Sequence, residues 1–186
     1  MTPTQQHKPT KEELLAAIDR RVPDVIAPDL KVLFCGINPG LYSAATAHHF
    51  ARPGNRFWPA LHAGGFTPRM LKPWEDAEML RLGYGITNVV ERAALSAAEL
   101  TPAEIIEGGR QLESKVRQYR PRCLAVLGIT AYRTAFRRPK AVLGAQPERI
   151  GGVLVWVLPN PSGLNAHYHP KDLARLFGEL RAATED

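Results

Sequence analysis

The chain has 186 residues, 45% of them hydrophobic and 23% charged, which is the size and balance of one globular domain able to enclose a core. No apolar run nears the roughly 18 residues that span a bilayer, and the polar N-terminal residues lack the apolar stretch of a secretory signal. A transmembrane protein is therefore excluded and a cytoplasmic location expected. Two cysteines, Cys35 and Cys123, build neither a disulfide scaffold nor an all-Cys iron–sulfur cluster. Lys and Arg outnumber Asp and Glu by 24 to 18, a net charge of +6, which points to an anionic partner such as nucleic acid.

Residues 1 to about 9 read as a disordered lead-in. A helix follows from Lys11, with Leu14, Leu15 and Ile18 on one face, and ends before Pro23 and Pro28. Residues 1–23 are thus an N-terminal extension, partly disordered with a short helix, and 24–186 a single domain. The run Lys31 to Ile37 is continuously apolar and closed by Pro and Gly, the pattern of a strand covered on both faces. Asn55 is a good N-cap for a helix carrying Phe57, Trp58 and Leu61, and another helix is expected over about 74–82. Gly85 to Val90 is a second strand. Thr101-Pro102-Ala103-Glu104 supplies a capping box with Pro at the first helical position, opening a long helix to about Tyr119. Residues 123–128 form a third strand, 131–137 a helix, 153–158 a fourth strand and 170–183 a closing helix. Apolar strands alternating with helices predict a three-layer α/β/α sandwich around a central, mostly parallel four-stranded sheet.

Open α/β sheets bind ligands at the carboxyl ends of their strands. The loops leaving the first and fourth strands there are Gly36-Ile37-Asn38-Pro39-Gly40-Leu41 and Pro159-Asn160-Pro161-Ser162-Gly163-Leu164-Asn165. Each sets an amide side chain beside a rigid Pro, with Gly allowing close backbone approach. Singly, each is ordinary turn chemistry; two on one sheet edge are less so.

These two loops resemble the signature loops of the mismatch-specific uracil/thymine DNA glycosylases. Phe50-Ala51-Arg52-Pro53-Gly54-Asn55-Arg56-Phe57-Trp58, Gly85-Ile86-Thr87-Asn88 and Gly108-Gly109-Arg110 are also similar, so the likeness runs from about Asp24 to Ala183. It implies a monofunctional enzyme that flips a uracil, thymine or modified pyrimidine mispaired with guanine out of the duplex and hydrolyses its N-glycosidic bond. Asn38 matches the position that holds the attacking water, and Asn160 a donor to the departing base. Ile37, Pro39, Gly40, Ser43, Phe50 and Asn88 match the base pocket, with Phe50 as the stacking aromatic. Ser162, Gly163, Leu164 and Asn165 match the wedge entering the duplex, with Lys171 as a phosphate contact. An amide orients water but is a poor base, which fits a dissociative route in which a weak nucleophile suffices. The partner implied is double-stranded DNA with a mispaired or damaged pyrimidine, met in the cytoplasm at the nucleoid, with no membrane and no protein partner.

Neither signature loop holds a Lys for a Schiff base, so no lyase step is expected. The pairs His48-His49 and His167/His169 lack carboxylate or thiolate partners at ligand spacing, and neither a Walker A nor a dinucleotide-binding glycine motif follows a strand. No metal or other cofactor is expected. Between Arg117 and Arg149 stand eight basic residues and one acidic, Glu148, which act either as a phosphate-binding surface or as a solvated face. Two other functions use the same crevice: a DNA-damage-binding module without catalysis, which has no need of a water-holding Asn38, and a hydrolase of free nucleosides, which has no need of Leu164.

Overall fold

A computed structural model describes residues 7–185; of the lead-in expected over residues 1 to about 9, residues 1–6 lie outside the described residues. Four parallel strands form the centre: β1 (Val32–Gly36), β2 (Tyr84–Asn88), β3 (Cys123–Leu127) and, after β4 (Gly144–Ala145), β5 (Leu154–Leu158). Their order is β2-β1-β3-β5-β4, with β4 antiparallel to β5 at one edge. The sheet therefore has five strands where the sequence pattern predicts four. The added strand is a two-residue pairing at a glycine with φ +97°, too short to leave an apolar run. Because all four long strands run the same way, their carboxyl ends share one edge of the sheet.

Successive residues of a strand point to opposite faces, and β1 feeds two cores in this way. Phe34 joins Phe57, Leu61, Phe66 and Phe177 on the face covered by α3 (Phe57–Ala63) and α7 (Pro170–Thr184). Leu33 and Cys35 join Leu112, Val116 and Tyr132 under α5 (Pro102–Tyr119) and α6 (Ile129–Ala135). The predicted capping box at Thr101 and Glu104 is present, whereas the N-cap of α3 is Arg56 and not Asn55, whose Oδ1 accepts the Phe57 amide at 2.9 Å from one residue earlier. Two other predicted helices are shorter than expected. α1 spans Lys11–Leu15, and the segment read as one helix over 74–82 is a 3₁₀ turn (Pro73–Glu75) followed by α4 (Glu78–Arg81). A further short helix, α2 (Leu41–Thr46), starts directly from the loop after β1.

Residues 17–25, before β1, are built into the domain. Ala17 and Val22 pack with Leu41, Ala44 and Ala93, Val25 bridges Ile86 on the outer edge of β2, and Asp24 bonds Thr87 Oγ1 at 2.8 Å and pairs with Lys115 of α5. No helix among the described residues is long and apolar enough to cross a membrane.

Candidate active site

At the shared carboxyl edge the loop after β1 is laced to the chain after β2. The amides of Val89, Val90 and Ala94 donate to the carbonyls of Gly36, Ile37 and Pro39 at 2.9, 2.9 and 3.3 Å. The absence of a side chain at Gly36 leaves room there: a Cβ would lie 2.6 Å from Asn88 Oδ1 and 3.3 Å from the Phe50 ring. Asn38 Nδ2 donates to the carbonyls of Pro39 (3.2 Å) and Arg92 (3.4 Å), which leaves its Oδ1 as the acceptor of the amide.

The loop after β5 is a chain of small turns. Asn160 Oδ1 accepts the Ser162 amide at 2.9 Å, and Ser162 Oγ accepts the Leu164 amide at 3.2 Å. With its oxygen engaged, Asn160 presents its amide N–H groups instead, the opposite polarity from Asn38. Asn165 braces the same loop: Nδ2 donates to Asn160 O at 3.0 Å, and Oδ1 accepts the His167 amide at 3.1 Å. Gly163 sits where a Cβ would lie 2.5 Å from Gly54 O, so the loop rests directly on the 52–55 turn.

Both loops open into one cavity of about 210 Å³. Its lining includes Ile37, Asn38, Pro39, Gly40, Ser43, Phe50, Asn88, Asn160, Ser162 and Leu164, ten of the residues singled out from the sequence. Gly163, Asn165 and Lys171 lie outside it. Phe50 holds a left-handed backbone (φ 51°), a conformation that costs a non-glycine residue roughly 1–2 kcal/mol. Stacking on Phe57, with ring centroids 4.1 Å apart, fixes it there, and Ser43 Oγ takes the amide of the next residue, Ala51, at 3.1 Å. Leu164 is 76% exposed at the rim.

His49, Arg52, Asn55 and residues 94–97 also line the cavity without having been marked as site residues from the sequence. His49 and Arg52 are the titratable groups of the lining, which holds no Asp or Glu among the described residues. Burial holds the His49 imidazole below its usual pKa, and its Nε2 meets Pro23 O at 2.8 Å. His48 faces Asp76 at 3.3 Å. The thiol of Cys35, buried in β1, is pushed far up by desolvation.

Arg56 was also not marked as a site residue from the sequence. Its guanidinium donates to the carbonyls of Ser162 (2.7 Å), Asn165 (2.5 Å) and Tyr168, while its own amide donates to Pro161 O at 2.9 Å. One side chain thus ties the start of α3 to the whole 161–168 loop. The only available signal was its place in the motif Asn55-Arg56-Phe57-Trp58.

The basic segment is not gathered at this edge. Arg117, Arg120 and Arg122 lie at the end of α5 and just before β3, at the opposite edge of the sheet. Arg117, Arg120 and Arg138 are paired with Glu113, Asp29 and Glu148. Lys171, in the first turn of α7, is exposed and has no hydrogen-bonded or ion-pair partner among the described residues.

The model of the uracil DNA glycosylase superfamily matches residues 23–181. The chain belongs to that superfamily. The solution structure of a protein from Methanosarcina acetivorans, described as a "putative Uracil DNA glycosylase", superposes with a TM-score of 0.57 at 20% identity, covering 88% of this chain and 99% of that one. At that identity the likeness speaks for the fold, a mostly parallel sheet flanked by helices.

Proposed function

We propose that the protein is a monofunctional DNA glycosylase that excises uracil, and other pyrimidines mispaired with guanine, by hydrolysing the bond between the base and deoxyribose. The observation that carries this reading is the convergence of Asn38 and Asn160 on one small cavity with opposite hydrogen-bonding polarity. Asn38 offers an acceptor to a water, and Asn160 offers donors to an oxygen that gains charge.

The chemistry follows from what surrounds the bond. The glycosidic C1′–N1 bond breaks with its electron pair leaving on the pyrimidine, and the sugar becomes oxocarbenium-like. Donors fixed in place before the reaction favour the charge that develops on the base oxygens; the Asn160 amide and backbone N–H groups of the 37–41 loop fill that role. Water oriented by Asn38 Oδ1 then adds to C1′, losing a proton to solvent, and the base anion gains one. A carboxylate base adds about 10²- to 10⁴-fold where present. The lining has none among the described residues, which fits slow turnover by a weak nucleophile on a cationic centre. Phe50, rigid on Phe57, stacks on the extruded ring, a contact worth about 1–3 kcal/mol. Leu164 fills the space left in the duplex, with Lys171 on a phosphate.

The test is single-turnover release of base from a duplex with one uracil opposite guanine, beside uracil opposite adenine and thymine opposite guanine. Release from the guanine mispairs is expected, with loss in Asn38→Ala. Salt-dependent binding with no abasic product at excess protein overturns the reading in favour of a damage-binding module.

A further inference from the structure

A second recess adjoins the cavity across the 50–55 turn. It has a volume of about 780 Å³ and shares Phe50, Arg52 and Asn55 with the cavity. Its far wall is the 70–74 segment, where Met70 and Trp74 are 40% and 44% exposed. A tryptophan left open on a 3₁₀ turn, in a chain whose other large aromatics are mostly packed in the core, has no folding role that requires its exposure.

The charges around it are arranged for an anion. The exposed side chains of Arg52 and Lys72 make no hydrogen bond or ion pair among the described residues, although the Lys72 amide donates to Glu75 Oε2 at 2.9 Å and the Lys72 charge helps to lower that carboxyl. The neighbouring Arg69, by contrast, is bound to Glu75 through two contacts of 3.0 and 2.7 Å. An open aromatic face in a recess that two exposed cations also line is the combination that holds a nucleotide of an unpaired strand, with the base on the ring and the phosphates on the cations. A paired base cannot use such a face, because its own faces are occupied by its neighbours in the duplex.

We propose that this recess is a second nucleotide site, which takes an unpaired nucleotide next to the one held in the cavity. The protein then engages frayed or single-stranded DNA beyond the target base. This rests on reading the neighbouring cavity as a DNA-processing site, and it extends the substrate class to strands opened on one side of the lesion. The 162–164 loop rests on the 52–55 turn, and that turn shares the recess with the 70–74 segment, so the second site adjoins the first.

The test uses the full chain and a fluorescein-labelled deoxyadenosine strand of about 15 nucleotides, which contains no uracil, so that binding is read independently of excision. Trp74→Ala is expected to weaken binding by about 5- to 150-fold, the range of one base–aromatic stack. Trp74→Phe is expected to stay within about threefold of the unaltered protein, because a smaller ring still stacks. A fully paired, closed-end duplex is expected to bind both variants as it binds the unaltered protein. Equal affinity of Trp74→Ala and the unaltered chain for the single strand overturns the proposal and leaves a protein partner as the occupant. An equal loss on strand and duplex overturns the assignment to an unpaired nucleotide. A protein that releases no uracil yet shows the single-strand pattern refutes the glycosylase reading alone.

Discussion

The side-chain amide of Asn38 donates to the backbone carbonyl of Arg92 at 3.4 Å, across 54 residues of sequence. That bond decides which end of the amide is left for water, and Arg92 is itself held from several sides. Its guanidinium bonds Glu104 at 2.6 and 3.2 Å and reaches Asp19 at 3.4 Å. Ala93 exchanges backbone bonds with Asp19 and Arg20 at 3.0 and 2.8 Å. The segment before β1 thus reaches the proposed water-holding residue through one intermediary. Arg92→Ala is expected to slow base release by about 10- to 100-fold, the scale of a catalytic group displaced by an ångström, with DNA affinity retained. In an Asn38→Ala background the same change is expected to add little, since the group it positions is gone. A full multiplicative loss in the double variant would mean that Arg92 acts elsewhere.

The clamp also carries a pH expectation. The hydrogen bond from Arg92, followed by the Thr101 amide, lowers the Glu104 carboxyl to about 2. Its anion, and with it the Arg92 contact, therefore persists as pH falls through 5 and 4. Base release at pH 5 is expected to show the same dependence on Arg92 as at pH 7.5, measured as the ratio of single-turnover rates for Arg92→Ala and the unaltered chain.

Gly36 is the point where β1, Asn88 and Phe50 meet. A methyl group there lies 2.6 Å from Asn88 Oδ1, a distance that forces the amide aside. Gly36→Ala is expected to cost about 1–3 kcal/mol of stability and to cut base release at least tenfold by moving the cavity wall. Asn88→Ala removes the clashing oxygen, so Gly36→Ala made in that variant is expected to cost much less. Paired urea melts of the four chains measure the difference.

The strands and both loops of the site were legible because each leaves a local mark: an apolar run, or an amide between Pro and Gly. What escaped is carried by groups with no local mark. The Arg92 contribution to Asn38 is a backbone carbonyl, available from any residue type. Arg56 acts on three carbonyls more than 100 residues away, and a lone Arg in sequence does not announce what it spans. β4 is two residues long, and α2 begins at Gly40 without a side-chain cap. The basic segment misled because charge counted along a chain ignores the fold: an α5 that packs back along the sheet returns its last residues to the edge away from the site.

Arg56 makes the 161–168 loop a single piece. A lysine ammonium is a point charge that cannot face three carbonyls in the plane of a guanidinium. Arg56→Lys is expected to lose about 1.5–3 kcal/mol for the broken charged hydrogen bonds and to raise amide hydrogen exchange across 162–168 while leaving β1 and β3 protected. A uniform rise across the sheet would show instead that the residue supports the whole fold.

Leu164 tests the opposite case, an apolar side chain that contributes little to folding. At 76% exposure, truncation removes almost no buried contact, so Leu164→Ala is expected to keep the melting temperature within about 2 °C. On a duplex with an abasic site, affinity is expected to fall several-fold, and release from uracil opposite guanine to slow, because nothing then occupies the gap in the stack. With a single-stranded uracil substrate there is no gap to fill, and the variant is expected to match the unaltered chain. A loss of the same size on both substrates would move Leu164 from the duplex to the base pocket.

The buried His49 gives the stability of the fold a dependence on pH. It is 2% exposed, bonded through Nε2 to Pro23 O, and burial holds its pKa below 6.5; Asp76 and Asp24 pull upward while His48 pushes it further down. The unfolded chain takes up this proton near pH 6.5 and the folded chain only at lower pH, so between those values the unfolded state binds more protons. Stability from this group is therefore full above pH 6.5 and declines as pH falls toward the folded value. Thermal melts at pH 7.5, 6.5, 5.5 and 4.5 are expected to show that decline, and His49→Gln, which keeps a donor for Pro23 without a titrating ring, is expected to flatten it. Base release between pH 6.5 and 8 is expected to stay level, because the described residues of the lining include no carboxylate and burial holds the His49 pKa below that window. A rate that climbs with pH across that window would place a titrating base at the water and displace Asn38 from the role argued for it.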